Sequence, residues 1–190
     1  MAIEAHAQHG AAHATHNRYA MNSVGLWLFF ISECFLFAAL FAGRFYLAGT
    51  DRPEHLNQDL GLAITAVLLA SSFTAYLAET AMSSGKRGLC ALFVLLTILL
   101  GVVFFAGVVI EWSEAEFSQS EPYGTAFFSM TGLHASHVLS GVGILFLLLL
   151  QLVRGRFTAE DHWGVEASIK YWHFVDVVWM FFYPALYLIG

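Results

Sequence analysis

The sequence predicts an all-α polytopic membrane bundle of five transmembrane helices, and three observations carry that reading. Of the 190 residues, 58% are hydrophobic and only 12% charged, where a soluble domain carries about 25% charged residues. The mean hydropathy is +0.68. Five segments reach the length of about 20 residues that a helix needs to cross a bilayer: 24–47, 60–83, 89–111, 125–153 and 170–189.

The first 23 residues, MAIEAHAQHGAAHATHNRYAMNS, lack a basic n-region followed by an apolar core and a small-residue cleavage site, so they do not read as a removable signal peptide. They read as a His-rich tail. His6, His9, His13 and His16 would form a loose stripe on a helix; a solvated tail, or a short helix lying on a partner, is preferred to metal capture. The loops that join the spans are short. Residues 48–59 hold Gly49, Asp51, Pro53 and Glu54, residues 84–88 read SGKRG, 112–124 are acidic with Pro122, and 154–169 read RGRFTAEDHWGVEASI. No soluble domain fits among them, and residues 1–190 form a single membrane domain.

Basic residues orient the bundle. Arg18, Lys86, Arg87, Arg154, Arg156 and Lys170 collect on one face, against Arg44 and Arg52 on the other. That places the N-terminus in the cytoplasm and the C-terminus outside, with Glu111, Glu114, Glu116 and Glu121 at the outer face. No internal repeat suggests an inverted-repeat transporter. The formal charge of −6, without a basic patch interleaved with aromatics, argues against nucleic acid as a partner. Cys34 and Cys90 are far apart and suit neither a disulfide framework nor a CxxC motif; both read as packing residues.

The polar residues inside the spans are the candidates for function. Glu33 lies nine residues into the first span, at a depth of about 13 Å by helical rise. An ionised carboxylate there costs several kcal/mol or more, so it must be neutral, paired or hydrated. Structural glue and a proton-related role both remain open for it. His134 and His137, three apart in GLHASHVLSG, fall on one helical face. A haem or metal site there wants further ligands, and only His173 remains as another intramembrane histidine, so hydrogen bonds between helices are the preferred reading. Gly132, Gly141 and Gly143 favour close helix approach. In YWHFVDVVWMFFYPALYL, His173 and Asp176 stand at i, i+3, where a hydrogen-bonded couple lowers the cost of burying both. Trp172, Trp179, Tyr183 and Tyr187 read as interfacial anchors, and Pro184 bends the outer end of the helix. Glu79 and Glu111 lie near span ends and read as snorkelling or water-facing carboxylates.

Motifs of redox or hydrolytic chemistry are absent: no CxxCH, no Gly-rich phosphate loop, no nucleophile elbow and no Arg-rich voltage sensor. The chain reads as a proton-handling or supporting subunit with no metal of its own.

Taken together, FFISECFLF, AVLLASSFTAY, YGTAFFSMTGLH, the GLHASHV run and HWGVEASIKYWHFVDVVWMFFY resemble subunit III of the haem-copper terminal oxidases, from about residue 19 to the C-terminus. The order of these elements makes the likeness specific. It implies the five-helix form found in quinol oxidases and some bacterial cytochrome c oxidases, in the bacterial cell membrane, and a non-catalytic subunit of a complex that reduces oxygen to water and pumps protons. It implies haem and copper in partner subunits and none here, with subunit I as the principal contact, and subunit II, a small subunit and bound phospholipid as further partners. Glu33 matches the family's carbodiimide-reactive carboxyl. His134, His137, His173 and Asp176 match other characteristic positions, as interhelical hydrogen-bonding groups. Arg154, Arg156, Thr158 and Trp163 fall where larger members hold phospholipid headgroups, a role suited to arginine at a cytoplasmic span end. The rival readings are a family member accompanying a nitric oxide reductase, a free-standing proton-coupled carrier using Glu33 and the His173/Asp176 pair, and a b-type cytochrome.

Overall fold

The computed structural model describes residues 2–53 and 56–189, with side chains described from Tyr19 onward. The tail histidines His6, His9, His13 and His16 therefore lie outside the residues whose side chains are described. Five α-helices follow in order: α1 (Ala2–Ala48), α2 (Gln58–Ser83), α3 (Arg87–Glu114), α4 (Pro122–Val153) and α5 (Trp163–Tyr183), the last continuing into a π-helical turn, Pro184–Leu188. The described residues include no strand. Four helical stretches, Tyr19–Ala48 and the whole of α2, α3 and α4, are long and apolar enough to cross a membrane. The fifth helix carries Glu166, Lys170, His173 and Asp176 among its 21 residues, and this polarity separates it from the other four.

Two helices begin well before the spans that the sequence suggests. α1 starts at Ala2 rather than near residue 24, because the tail is rich in alanine, the strongest helix former. α5 starts at Trp163 rather than near 170. There His162, Glu166 and Lys170 follow at i, i+4 spacing, with contacts of 3.5 and 2.8 Å to the Glu166 carboxylate, and such pairs support a helix.

The other boundaries follow local chemistry. The Asn57 side chain accepts the Leu60 N–H at 3.0 Å and caps α2. Pro122 opens α4, where its missing N–H is harmless. Gly85 and Gly155 both adopt φ of 73° just beyond α2 and α4. The following amides, Lys86 N–H and Arg156 N–H, reach back to the carbonyls of Ala81 and Gln151 at 2.9 and 3.1 Å, closing the ends of the two helices.

The chain forms two compact units, residues 1–36 and 37–190. In the first, Trp27 meets Phe30 edge to face at 5.8 Å, and the Ser32 hydroxyl donates to the Phe29 carbonyl at 2.7 Å. Trp27, Leu28, Ile31 and Phe35 are exposed, as is Cys34. Cys34 is therefore not a packing residue of this chain, whereas Cys90 is fully buried.

In the second unit, α2 to α5 alternate in direction, as the paired residues show. Thr74 meets Thr97, Trp112 meets Thr131, Ser140 meets Tyr171 and Thr65 meets Trp179. The core is aromatic. Trp172 lies against two backbones: a methyl group on Gly101 would fall 2.5 Å from its ring, and one on Gly141 2.9 Å from it. Close approach to Trp172 thus rests on Gly101 and Gly141. A methyl group on Gly132 would make only ordinary contact, and one on Gly143 would have nothing within 4 Å among the described residues, so the expectation for those two is corrected: among the described residues their faces do not meet a neighbouring backbone.

Trp172, Trp179 and Tyr187 are at most 1% exposed, which corrects their reading as interfacial anchors. Each has a polar atom that finds a partner inside the bundle. The indole of Trp172 donates to Ser71 Oγ at 3.0 Å, and that of Trp179 to Thr65 Oγ1 at 2.9 Å. Trp112, half-buried, does the same with Thr131 Oγ1 at 3.0 Å. The three hydroxyls in turn donate to carbonyls of their own helices, Leu68, Gly61 and Phe127. A hydroxyl is both donor and acceptor, so it satisfies the indole without losing its own bond.

Candidate functional site

The polar residues of the second unit gather in two bands. The first lies midway along α5. The Ser72 hydroxyl of α2 donates to Asp176 Oδ2 and sits 3.0 Å from His173 Nδ1. With its single hydrogen on Asp176, the hydroxyl oxygen is left to accept from the imidazole N–H. His173 and Asp176 are thus joined through α2. Asp176 is only 4% exposed, and its Oδ1 is buried without a hydrogen-bond partner among the described residues.

His134 and His137 diverge. His134 is fully buried, donates through Nε2 to the Val175 carbonyl of α5 at 3.1 Å, and packs 4.7 Å from the Trp179 ring and 5.6 Å from that of Phe104. His137 donates through Nδ1 to the Leu133 carbonyl of its own helix at 2.9 Å and packs 4.8 Å from Phe37. Among the described residues, no group of three or more His, Cys, Asp or Glu side chains is placed to hold a metal ion.

The second band closes the C-terminal end of α5, and the sequence reading missed it. The π-turn at Pro184 leaves terminal carbonyls outside the regular helical ladder, and side chains from elsewhere capture them. Tyr123 Oη donates to the Leu186 carbonyl at 2.7 Å. Arg52 and Gln58 both donate to the Tyr187 carbonyl. Tyr187 Oη donates to Glu111 Oε2 at 2.7 Å. Glu111 is only 3% exposed, so its reading as a water-facing carboxylate is corrected: it stands at a span end, but Tyr187 and the π-turn cover it. Arg44 is also fully buried. It donates to the carbonyls of Gly49 and Asp51, both at 2.9 Å, with its guanidinium 4.8 Å from the Tyr123 ring centroid, in cation–π range.

Other candidates lie apart from these bands. Glu33, on α1 in the first unit, is half-buried. Glu79, on α2, is also half-buried. Arg154 and Arg156 are exposed beyond the end of α4. Thr158 closes a small turn with Asp161, whose N–H reaches Thr158 Oγ1 at 3.1 Å. The Trp163 ring receives the Lys170 ammonium at 5.1 Å from its centroid. A cleft of about 210 Å³ runs beside this segment, lined by Leu147, Gln151, Phe157 and Ser168 among others.

This arrangement defines an all-α protein with membrane-crossing helices, in which buried polar groups bind helices to one another. Sequence comparison supplies the family. The family model for cytochrome c oxidase subunit III matches residues 2–190. Cytochrome c oxidase subunit 3 of Scyliorhinus canicula is 40% identical over 179 residues, covering 87% of this chain and 69% of the relative. The proteins of that name from Coturnix japonica and Mus musculus are each 37% identical over the same shares. The chain belongs to the cytochrome c oxidase subunit III family, as its ordered motifs led us to expect.

Proposed function

We propose that this chain is the non-catalytic subunit III of a haem-copper respiratory oxidase, a cytochrome c oxidase rather than a quinol oxidase, and that it supports a reaction performed elsewhere in the complex. The family match across residues 2–190 carries this reading. In this reading all five helices cross the bacterial cell membrane as a single domain, with the N-terminus in the cytoplasm and the C-terminus outside. The distribution of basic residues supports that orientation. Subunit I, holding haem and copper, is the principal contact, with subunit II and a small subunit alongside. The contribution of this chain is to stabilise subunit I, keep proton uptake rapid and hold lipid beside the route of oxygen entry.

Glu33 is the proton-related group in this proposal, and His134, His137, His173 and Asp176 hold α2, α4 and α5 to one another by interhelical hydrogen bonds. Glu33→Gln leaves assembly intact and slows proton uptake; loss of the complex from purified membranes would instead assign Glu33 a structural role. Arg154 and Arg156, with Thr158 and Trp163, take phospholipid headgroups. The pair Arg154→Ala and Arg156→Ala lowers the phospholipid that co-purifies with the complex, and unchanged lipid content by mass spectrometry would count against that site.

The decisive experiment is to tag the chain, extract it in mild detergent, and identify what accompanies it. Haem a bands in the reduced-minus-oxidised spectrum, with a large histidine-rich partner, are expected. A solitary chain without haem would overturn the reading.

A further inference from the structure

Ser72 stands near the middle of α2, about 16 and 21 Å from its two ends by helical rise, and it joins two titratable side chains of α5. Its hydroxyl donates to Asp176 Oδ2 and lies 3.0 Å from His173 Nδ1. The two ends of this chain of groups differ in access. Asp176 is 4% exposed, inside the bundle. His173 is half-buried, and its Nε2 is not among the enclosed polar atoms, so this nitrogen opens on the surface of the bundle.

Imidazole, hydroxyl and carboxyl groups can each take up a hydrogen on one side and release one on the other. An ionised carboxylate at this depth is costly, and the triad offers a way to neutralise it that keeps both hydrogen bonds. With Asp176 ionised, the Ser72 hydrogen points to Oδ2 and the His173 Nδ1–H points to Ser72 Oγ. When a proton binds Nε2, the Nδ1 hydrogen passes to Oγ as the Oγ hydrogen passes to Oδ2. The Nδ1–H bond and the original Oγ–H bond break; Nε2–H, a new Oγ–H and Oδ2–H form. The products are a neutral imidazole protonated on Nε2 and a neutral carboxyl group, with both hydrogen bonds reversed and one proton gained.

Other titratable groups on the packed helices are engaged or stand apart. On α4, His134 donates to the Val175 carbonyl and His137 to that of Leu133. On α5, Tyr171 meets Ser140, and Lys170 and Glu166, three and seven residues before His173, pair with each other at 2.8 Å. On α2, Tyr76 and Glu79 follow Ser72 by four and seven residues, and α3 has no titratable side chain between Cys90 and Glu111. Arg44 of α1 is held by the carbonyls of Gly49 and Asp51.

We infer that Ser72, His173 and Asp176 form a proton-binding site with a single entrance: His173 Nε2 takes up the proton, and Ser72 relays its equivalent to Asp176. Two residues that bind helices together thereby also store a proton within the bundle, whichever subunits surround them.

The test follows the full chain, in the complex with which it purifies, through a pH titration. Infrared difference spectra report the carbonyl stretch of the protonated Asp176 carboxyl, assigned by its loss in Asp176→Asn. Nitrogen-15 resonances report the His173 tautomer, assigned by their loss in His173→Gln. On acidification one carboxyl band appears, and neutral His173 changes from the Nδ1–H to the Nε2–H form with the same midpoint. Ser72→Ala abolishes the linked change, and Ser72→Thr, which restores a hydroxyl, retains it. A His173 imidazolium signal without the carboxyl band, separate midpoints for the two signals, or no movement of either over the range in which the complex stays intact overturns the inference. Both signals are read in the unaltered chain, so their shared midpoint decides the matter where Ser72→Ala fails to assemble. The co-purifying subunits are identified in the same sample, and their absence would count against the oxidase reading while leaving the titration to be judged by itself.

Discussion

Trp172→Ala lowers the stability of the bundle by about 3–5 kcal/mol, the range for removing a large buried aromatic side chain. The expected readout is a marked fall in the thermal unfolding midpoint of the chain in detergent. Trp172 is 1% exposed, its ring fills the space left by Gly101 and Gly141, and its indole N–H reaches Ser71. Truncation therefore leaves a void between three helices and takes the donor from a buried hydroxyl. Gly101→Ala tests the same contact from the other side. Its methyl group would lie 2.5 Å from the ring, and overpacking of this kind costs about 1–3 kcal/mol. The two changes are coupled: in the Trp172→Ala background the added methyl occupies vacated space, and Gly101→Ala becomes nearly neutral. Additive losses would show that the ring and the glycine do not share that space.

Ser72→Val removes one hydroxyl and disturbs two functional candidates. Asp176 Oδ2 loses its donor, and His173 Nδ1 loses its partner, in a protein interior where an unsatisfied polar group costs about 1–3 kcal/mol and a charged one more. The chain is destabilised by that amount, measured by the same thermal assay. The double variant Ser72→Val with Asp176→Leu recovers part of the loss, because replacing both partners by apolar groups removes the unsatisfied atom as well as the bond. If the double variant is as unstable as the sum of the single ones, the hydroxyl and the carboxylate are not coupled. Oxygen-consumption rates of the assembled complex, measured alongside, separate a purely structural triad from one that supports turnover.

Four helices were legible from the sequence because length and apolarity announce a stretch able to cross a membrane: Tyr19–Ala48 and the whole of α2, α3 and α4. Glu111 was not legible. It adjoins an acidic loop, which suggests water, and the residue that covers it, Tyr187, is 76 positions away. The hydroxyls of Thr65, Ser71 and Ser72 were equally hidden, since in a run of small residues each could face lipid, its own helix or a neighbour. Their alignment with Trp179, Trp172 and Asp176 is a property of the packed pair. Tryptophan near a span end is ambiguous for the same reason, because the indole N–H that anchors at an interface serves equally well inside a bundle with a hydroxyl opposite.

The tryptophan–hydroxyl pairs bear on sliding between helices. Trp172 with Ser71 and Trp179 with Thr65 are two rungs about 9–10.5 Å apart along the antiparallel pair α2 and α5, at 1.5 Å of rise per residue. Apolar packing alone is forgiving: a shift of α5 by one turn exchanges one set of methyl contacts for another of similar strength. Here the same shift of about 5.4 Å would uncouple both indoles together. The pairs work as a two-toothed key that fixes vertical register and thereby sets the height at which His173 and Asp176 meet α2, while leaving small rocking motions of the helices free.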